Sequence, residues 1–335
     1  MDYSDLKRYD PSGMHEVYNK WPQFAREAYE ADLEPVDFKN IDHIVFAGMG
    51  GSGAIGDLFS AILSKSNIHV SLVKGYVLPK TVDEKTLVVI ISVSGNTVES
   101  QTVLEYASKI NCNVVAFSSG GMMESFCKKN SIPFRKIPKI HSPRSSFPTY
   151  VYSVIKVLNS ILPINKKDVL ESIFEFEKLK NKIATHNLTD SNPSLKLAEL
   201  MSGIPLIYFP VGLQAAAIRF KNSLQENTKI HVIVEDVIEA CHNGIVSWEK
   251  TSDVQPILLQ GVDDYIKTKE RWNILKDYFK SHNIAYLEIH SINGNILSKL
   301  ICLVYLLDFV SIYHAVKTKT DPTPVNSIDY IKERL

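Results

Sequence analysis

The sequence predicts an α/β protein of two domains, residues 1–155 and 156–335, each an α/β/α sandwich around a parallel central sheet. Three observations predict it. Short runs rich in Val and Ile alternate with helix-patterned segments; those runs are almost uniformly apolar, as strands covered on both faces must be; and the alternation pauses near 150–190, then restarts.

In chain order, a helical segment over 14–31 is interrupted near Pro22, where a proline removes a helix donor. IDHIVFAG (41–48) is a strand running straight into the glycine-rich GMGGSG (48–53), and a helix follows over AIGDLFSAILSK. IHVSLVK (68–74), TLVVIISVSG (86–95) and NVVAFSS (113–119) are strands, TVESQTVLEYASKI (97–110) is a helix, and IPFRKIP is a last short strand before HSPRSSFPTY. After a helical stretch and the charged KKDVLESIFEFEKLKNK (166–182), the strands IPLIYFP (204–210), QPILLQG (255–261) and IAYLEIHS (284–291) alternate with helices over AAAIRFKNSLQEN, 267–279 and the apolar segment after Asn295. The second half has no glycine loop to match the first, so the two halves should carry different parts of a site.

Composition narrows the function. Hydrophobic residues make up 45% of the chain, enough to fill two cores. Lys plus Arg (37) balance Asp plus Glu (37), which gives no overall attraction to nucleic acid or an anionic membrane and leaves a charged ligand to be held by a local site. The apolar segment 296–316 is interrupted by Lys299, Asp308 and His314, the pattern of a buried helix rather than a membrane span. Four scattered cysteines without C-x-x-C spacing, and no basic-then-apolar leader, lead us to expect a cytoplasmic chain with reduced thiols. The ten histidines form no H-x-H or H-x-x-x-H set, so no metal site is expected.

GMGGSG fits the G-x-G-x-x-G spacing, but a dinucleotide site also needs an acid about 20 residues on to bind the ribose. That region reads SLVKGY (71–76), with Lys74 and no acid. The second loop, SVSGNTVES (92–100), offers the hydroxyls of Ser92, Ser94 and Thr97, a turn at Gly95 and a helix start. Hydroxyls plus the N–H groups of a helix N-terminus form a cup for a phosphate monoester without a lysine. Otherwise Ser94 or Asn96 simply caps its own helix.

Together GMGGSG and SVSGNT resemble the sugar isomerase family, which implies two sugar-isomerase-type α/β/α sandwich domains and a phosphosugar ligand. QENTK (225–229), EACHN (239–243), DPTPV (321–325) and IDYIK (328–332), in that order, are similar to the bifunctional phosphoglucose/phosphomannose isomerases, and the resemblance runs from about residue 41 to 335. It implies an aldose-ketose isomerase interconverting glucose 6-phosphate, and mannose 6-phosphate, with fructose 6-phosphate through a cis-enediol. Gly50, Gly51 and Ser52 would border the sugar, and Ser92, Ser94 and Thr97 would hold its phosphate. Glu226 would carry the proton between C2 and C1, and His242, donated by the neighbouring subunit of a homodimer, would open the ring. Arg144 and Lys332 would be the cations near the enediolate and ring oxygen. A proton rather than a hydride moves, so the resemblance implies neither metal nor nicotinamide. The family associates a threonine near the C-terminus with tolerance of both epimers; here the register places Val325 there, without the hydroxyl, and Thr323 two residues before it.

Other readings stay open on residues alone. A phosphosugar sensor would keep both loops without needing Glu226 and His242. A glutamine-dependent aminosugar synthase would need an N-terminal cysteine, whereas Cys112 is the first here. A metal-dependent mannose phosphate isomerase would need clustered ligands.

Overall fold

The computed structural model describes all 335 residues. Its chain forms two compact units, one of residues 20–173 with 326–335 and the other of 1–19 with 174–325. These differ from the contiguous halves expected from the sequence: 155/156 falls inside a helix, and each unit takes in a piece from the far end of the chain.

In chain order the elements begin with α1 (Tyr3–Tyr9), α2 (Met14–Asn19) and α3 (Trp21–Glu30), then β1 (His43–Ala47), α4 (Gly50–Leu63), β2 (His69–Val73) and β3 (Thr86–Ser92). Next come α5 (Val98–Ala107), β4 (Asn113–Ser118), α6 (Gly121–Lys129), β5 (Phe134–Lys136), α7 (Phe147–Val157) and α8 (Lys166–Ile183). The rest are α9 (Pro193–Leu200), β6 (Ile204–Phe209), α10 (Gln214–Thr228), β7 (Ile233–Asp236), α11 (Val237–Ala240), β8 (Val254–Gln260), α12 (Ile266–Ser281), β9 (Leu287–His290), α13 (Ile296–Lys317) and α14 (Asn326–Lys332).

The first unit holds a parallel five-stranded sheet of order β2-β1-β3-β4-β5. Every residue of β1 and β3 is buried, which is why both read as unbroken apolar runs. Their side chains Val45, Val88 and Ile90 pack with Val103, Leu104, Met123 and Cys127 from α5 and α6. The chain leaves β1 toward β2 on one side and returns to β3 on the other, so the sheet reverses its winding between β1 and β3. Ligands of open parallel sheets bind beyond the carboxyl ends of strands at such a point. Proline in the first turn, where the missing donor is harmless, starts both α3 and α7. The Trp21 indole N–H donates to the Ser145 carbonyl at 2.9 Å, tying α3 to the turn before α7.

The second unit repeats the scheme with a parallel sheet of order β7-β6-β8-β9. Tyr208 and Leu258 from its strands pack on Trp272, Leu275 and Phe279 of α12. α13 is long and apolar enough to cross a membrane, but 83% of its apolar window is buried inside the fold, against α9, α10, α1 and α2. The N-terminal residues belong to this unit because they pack on α13; the Tyr305 hydroxyl donates to the Tyr18 carbonyl at 2.9 Å.

Candidate active site

Two of the anticipated loops meet at the point where the first sheet reverses. The glycine loop is not a loop throughout: α4 begins at Gly50, so Gly50, Gly51 and Ser52 are its first turn, whose N–H groups lack intrahelical partners. A side chain at Gly51 would press on the backbone of Arg144, 3.3 Å away, and on the Pro143 carbonyl. The 143–144 turn therefore lies directly on the start of α4. The Ser52 hydroxyl accepts from the Val93 N–H at 3.3 Å, joining this turn to the next loop.

In that loop the buried Ser92 hydroxyl lies 2.9 Å from the Thr97 hydroxyl and accepts the Gly95 N–H at 3.1 Å. Gly95 has φ +70°, and a Cβ there would stand 1.8 Å from the Gly120 carbonyl oxygen, so only glycine fits. Thr97 precedes α5 and its side chain makes no capping bond; Ser94 is exposed. Asn96 does not cap its own helix. Its side-chain oxygen accepts from the Met122 N–H at 2.9 Å, on the loop after β4.

That loop, 119–122, is a part of the site the sequence reading missed. The Ser119 hydroxyl donates to the Val93 carbonyl at 2.7 Å, and Ser118 holds Gly120 through its N–H (3.1 Å) and its carbonyl (2.9 Å). The signal was present as SSGG directly after a strand. Lys74, where a dinucleotide site would have an acid, turns back onto Asp57 of α4, with both carboxylate oxygens 2.6 Å from its ammonium.

Arg144 is 3% exposed, so it is no ordinary surface charge. Its turn is built by serines: the Ser142 and Ser145 hydroxyls lie 2.7 Å apart, and those of Ser145 and Ser146 both donate to the Ile140 carbonyl. Lys332 lies in the last turn of α14, a helix with no buried residue.

The second unit carries the other anticipated residues. Glu226 is half-buried in the last turn of α10. One helical face behind it is polar and buried: Arg219 bonds Asp308 of α13 (Nη2–Oδ2 2.7 Å), the Ser223 hydroxyl donates to Asp308 Oδ1 at 2.5 Å, and the Asn227 amide donates to the Ser311 hydroxyl at 2.8 Å. Burial disfavours the Arg219 charge, and the Asp308 carboxylate more than restores it, so the guanidinium binds its proton more tightly than usual. α10 ends on Lys229, whose ammonium reaches the carbonyls of Glu226, Pro322 and Pro324. The DPTPV segment, with half-buried Thr323 and Val325, is thereby fastened to the end of the helix that bears Glu226.

His242 is exposed in the turn after α11, its N–H bonded to the Glu239 carbonyl at 2.8 Å. The turn is anchored below by the Trp248 N–H donating to the Tyr208 hydroxyl at 2.8 Å. Glu235 packs against Gly244, where a Cβ would come within 2.6 Å of its carboxylate oxygen, and burial raises its proton affinity.

Hydroxyls and helix N-termini at a parallel-sheet switch point make a place for an anionic group such as a phosphate. The SIS domain model matches residues 37–154, and the model for the bacterial phospho-glucose isomerase C-terminal SIS domain matches 190–335. The bifunctional phosphoglucose/phosphomannose isomerase of Caldicellulosiruptor bescii is 31% identical over 95% of this chain and 97% of its own. The enzyme of the same name from Aquifex aeolicus is 31% identical over 96% of this chain and 99% of its own. The chain belongs to the bifunctional phosphoglucose/phosphomannose isomerase family. Among solved structures, tagatose-6-phosphate ketose/aldose isomerase from Escherichia coli shares the fold, with a TM-score of 0.70 over 94% of this chain and 96% of that one at 13% identity.

Proposed function

We propose that this protein is an aldose-ketose isomerase that interconverts glucose 6-phosphate and mannose 6-phosphate with fructose 6-phosphate. The observation that carries the reading is the family match along 95% of the chain, with the motif residues present throughout it. The phosphate sits against Ser92, Ser94 and Thr97 and the first turn of α5, held by neutral donors and the helix dipole. Gly50, Gly51 and Ser52 border the sugar, with open space where a side chain at Gly50 would stand.

His242 delivers a proton to the ring oxygen as its bond to C1 breaks, and takes up the proton that the C1 hydroxyl gives up as the open-chain aldehyde forms; histidine suits the step because its ordinary titration lies near neutrality. Glu226 removes the proton from C2, the electron pair moves into the C1–C2 bond as O1 takes up charge and then the proton released by the C2 hydroxyl, and Glu226 returns its proton to C1 as the C2 carbonyl forms. Arg144 and Lys332 stabilise the developing oxyanion. Reprotonation at C2 on the opposite face gives mannose 6-phosphate, with Thr323 and Val325 bordering the group that must rotate. The protons balance within the substrate and these side chains, so the scheme calls for no metal or nicotinamide. The exposure of His242 supports its donation to the site of a neighbouring subunit, and hence a symmetric homodimer. We place the activity in cytoplasmic carbohydrate metabolism, in glycolysis and gluconeogenesis.

The test supplies fructose 6-phosphate in EDTA and measures both aldose phosphates separately, with Glu226→Gln in parallel. Both products from the wild type and neither from the variant is the expected result. Saturable binding without turnover would refute it in favour of a sensor.

A further inference from the structure

The segment 321–325 has an unusual problem of attachment. Pro322 and Pro324 have no N–H, so the backbone of each can make a hydrogen bond only through its carbonyl. The Thr323 N–H bonds locally, to the Asp321 side chain at 2.9 Å.

Lys229 supplies the attachment. It ends α10 with φ +60°, the left-handed conformation in which glycine is the usual residue, yet the side chain here is put to use. Its ammonium bonds the Glu226 carbonyl, the Pro324 carbonyl at 2.8 Å and the Pro322 carbonyl at 3.4 Å. An ammonium has three donors, and here it meets three acceptors. Two of those acceptors flank Thr323, and the third belongs to the residue bearing the carboxylate. One cation therefore ties the end of α10 to the backbone on both sides of Thr323.

We infer that Lys229 is a specificity-setting positioning residue, which fixes the 322–324 backbone against the Glu226 turn and so limits the room available at C2–C3 of the enediol. This rests on the proposed roles of Glu226 and of residues 323–325. Mannose formation requires rotation about C2–C3, and a held segment restricts it; releasing the segment raises the share of mannose 6-phosphate.

The experiment compares wild type, Lys229→Gly and Lys229→Arg, measuring the ratio of mannose 6-phosphate to glucose 6-phosphate formed from fructose 6-phosphate, with Tm in parallel. Glycine suits the left-handed backbone, so that variant keeps the helix end while removing the ammonium. The expected result is a rise in the ratio of about threefold or more in Lys229→Gly, with Lys229→Arg near wild type, a difference of the size that small changes in pocket contacts produce. A ratio in Lys229→Gly within about 1.5-fold of wild type, or a fall in total turnover at constant ratio, overturns the assignment, since a merely structural lysine would behave in that way. Absence of mannose 6-phosphate from the wild type refutes the two-epimer reading and this assignment with it. Continued activity of Glu226→Gln refutes the role of the carboxylate instead.

Discussion

Asp308→Asn should be among the most destabilising single changes in this chain. Asp308 is 0% exposed and Arg219 2% exposed, and the carboxylate takes two bonds from the guanidinium and one from Ser223. The substitution leaves a buried guanidinium without its counter-charge and turns one acceptor into a donor. Breaking a buried pair by removing one partner costs about 3–5 kcal/mol. Against a typical total of about 5–15 kcal/mol, that is a large share. At about 2–4 °C per kcal/mol for a unit of this size, Tm should fall by about 6–20 °C. Removing the whole polar group at once, in Arg219→Met, Ser223→Ala, Asp308→Leu, leaves no orphaned charge and should cost far less. Thermal unfolding by circular dichroism, with urea midpoints alongside, measures both. If Asp308→Asn loses under about 2 °C, or is no worse than the triple variant, the burial argument is wrong.

Gly95→Ala should distort the 92–97 loop, since the added methyl would lie 1.8 Å from the Gly120 carbonyl oxygen and the backbone there has φ +70°. Steady-state kinetics should show KM for fructose 6-phosphate rising about tenfold or more, and an unchanged KM would refute the proposed placement of the phosphate. Burial is the main cause that depresses the proton affinity of both His43 and His314 below the ordinary value of 6.5. The folded chain then binds fewer protons than the unfolded chain as the pH falls from 6.5 toward the depressed values, so stability is present above 6.5 and is lost on acidification through that window. Denaturant midpoints measured across that range should fall with pH, and His314→Gln should flatten the slope; an equal slope in the variant would refute the contribution of His314.

The strands were legible where burial is complete on both faces: β1 and β3 could be read directly as apolar runs. The start of α4 was hidden, because glycines are poor helix formers and the pattern suggested a helix only from Ala54. Packing overrides that propensity. A Cβ at Gly53 would meet the Gly48 carbonyl at 2.8 Å, and one at Gly56 would meet Phe46 at 2.9 Å, so close approach selects glycine inside a helix. β7 escaped notice because its first residue is exposed, the other three are half-buried, and it ends in Glu and Asp. Candidate site residues could be named from motifs, but the groups that support them could not. Asp308 was visible as a charge interrupting an apolar run, whereas its partner lies 89 positions away on α10. No local pattern encodes such a pair. The burial of Arg144 likewise depends on a serine-built turn and on Gly51, nearly a hundred residues earlier.

The division of the chain into units also sets an order of events during synthesis. The unit that ends at Val325 includes the first nineteen residues, which leave the ribosome first. They must wait for α13, whose surface they cover, and at about 5–20 residues per second that delay is about 15–60 s. Until then Leu6, Met14 and Tyr18, all fully buried in the finished fold, have no place to go. The first unit closes early apart from its last ten residues, so the nascent chain carries a nearly finished domain tethered to apolar side chains still without their partner surface.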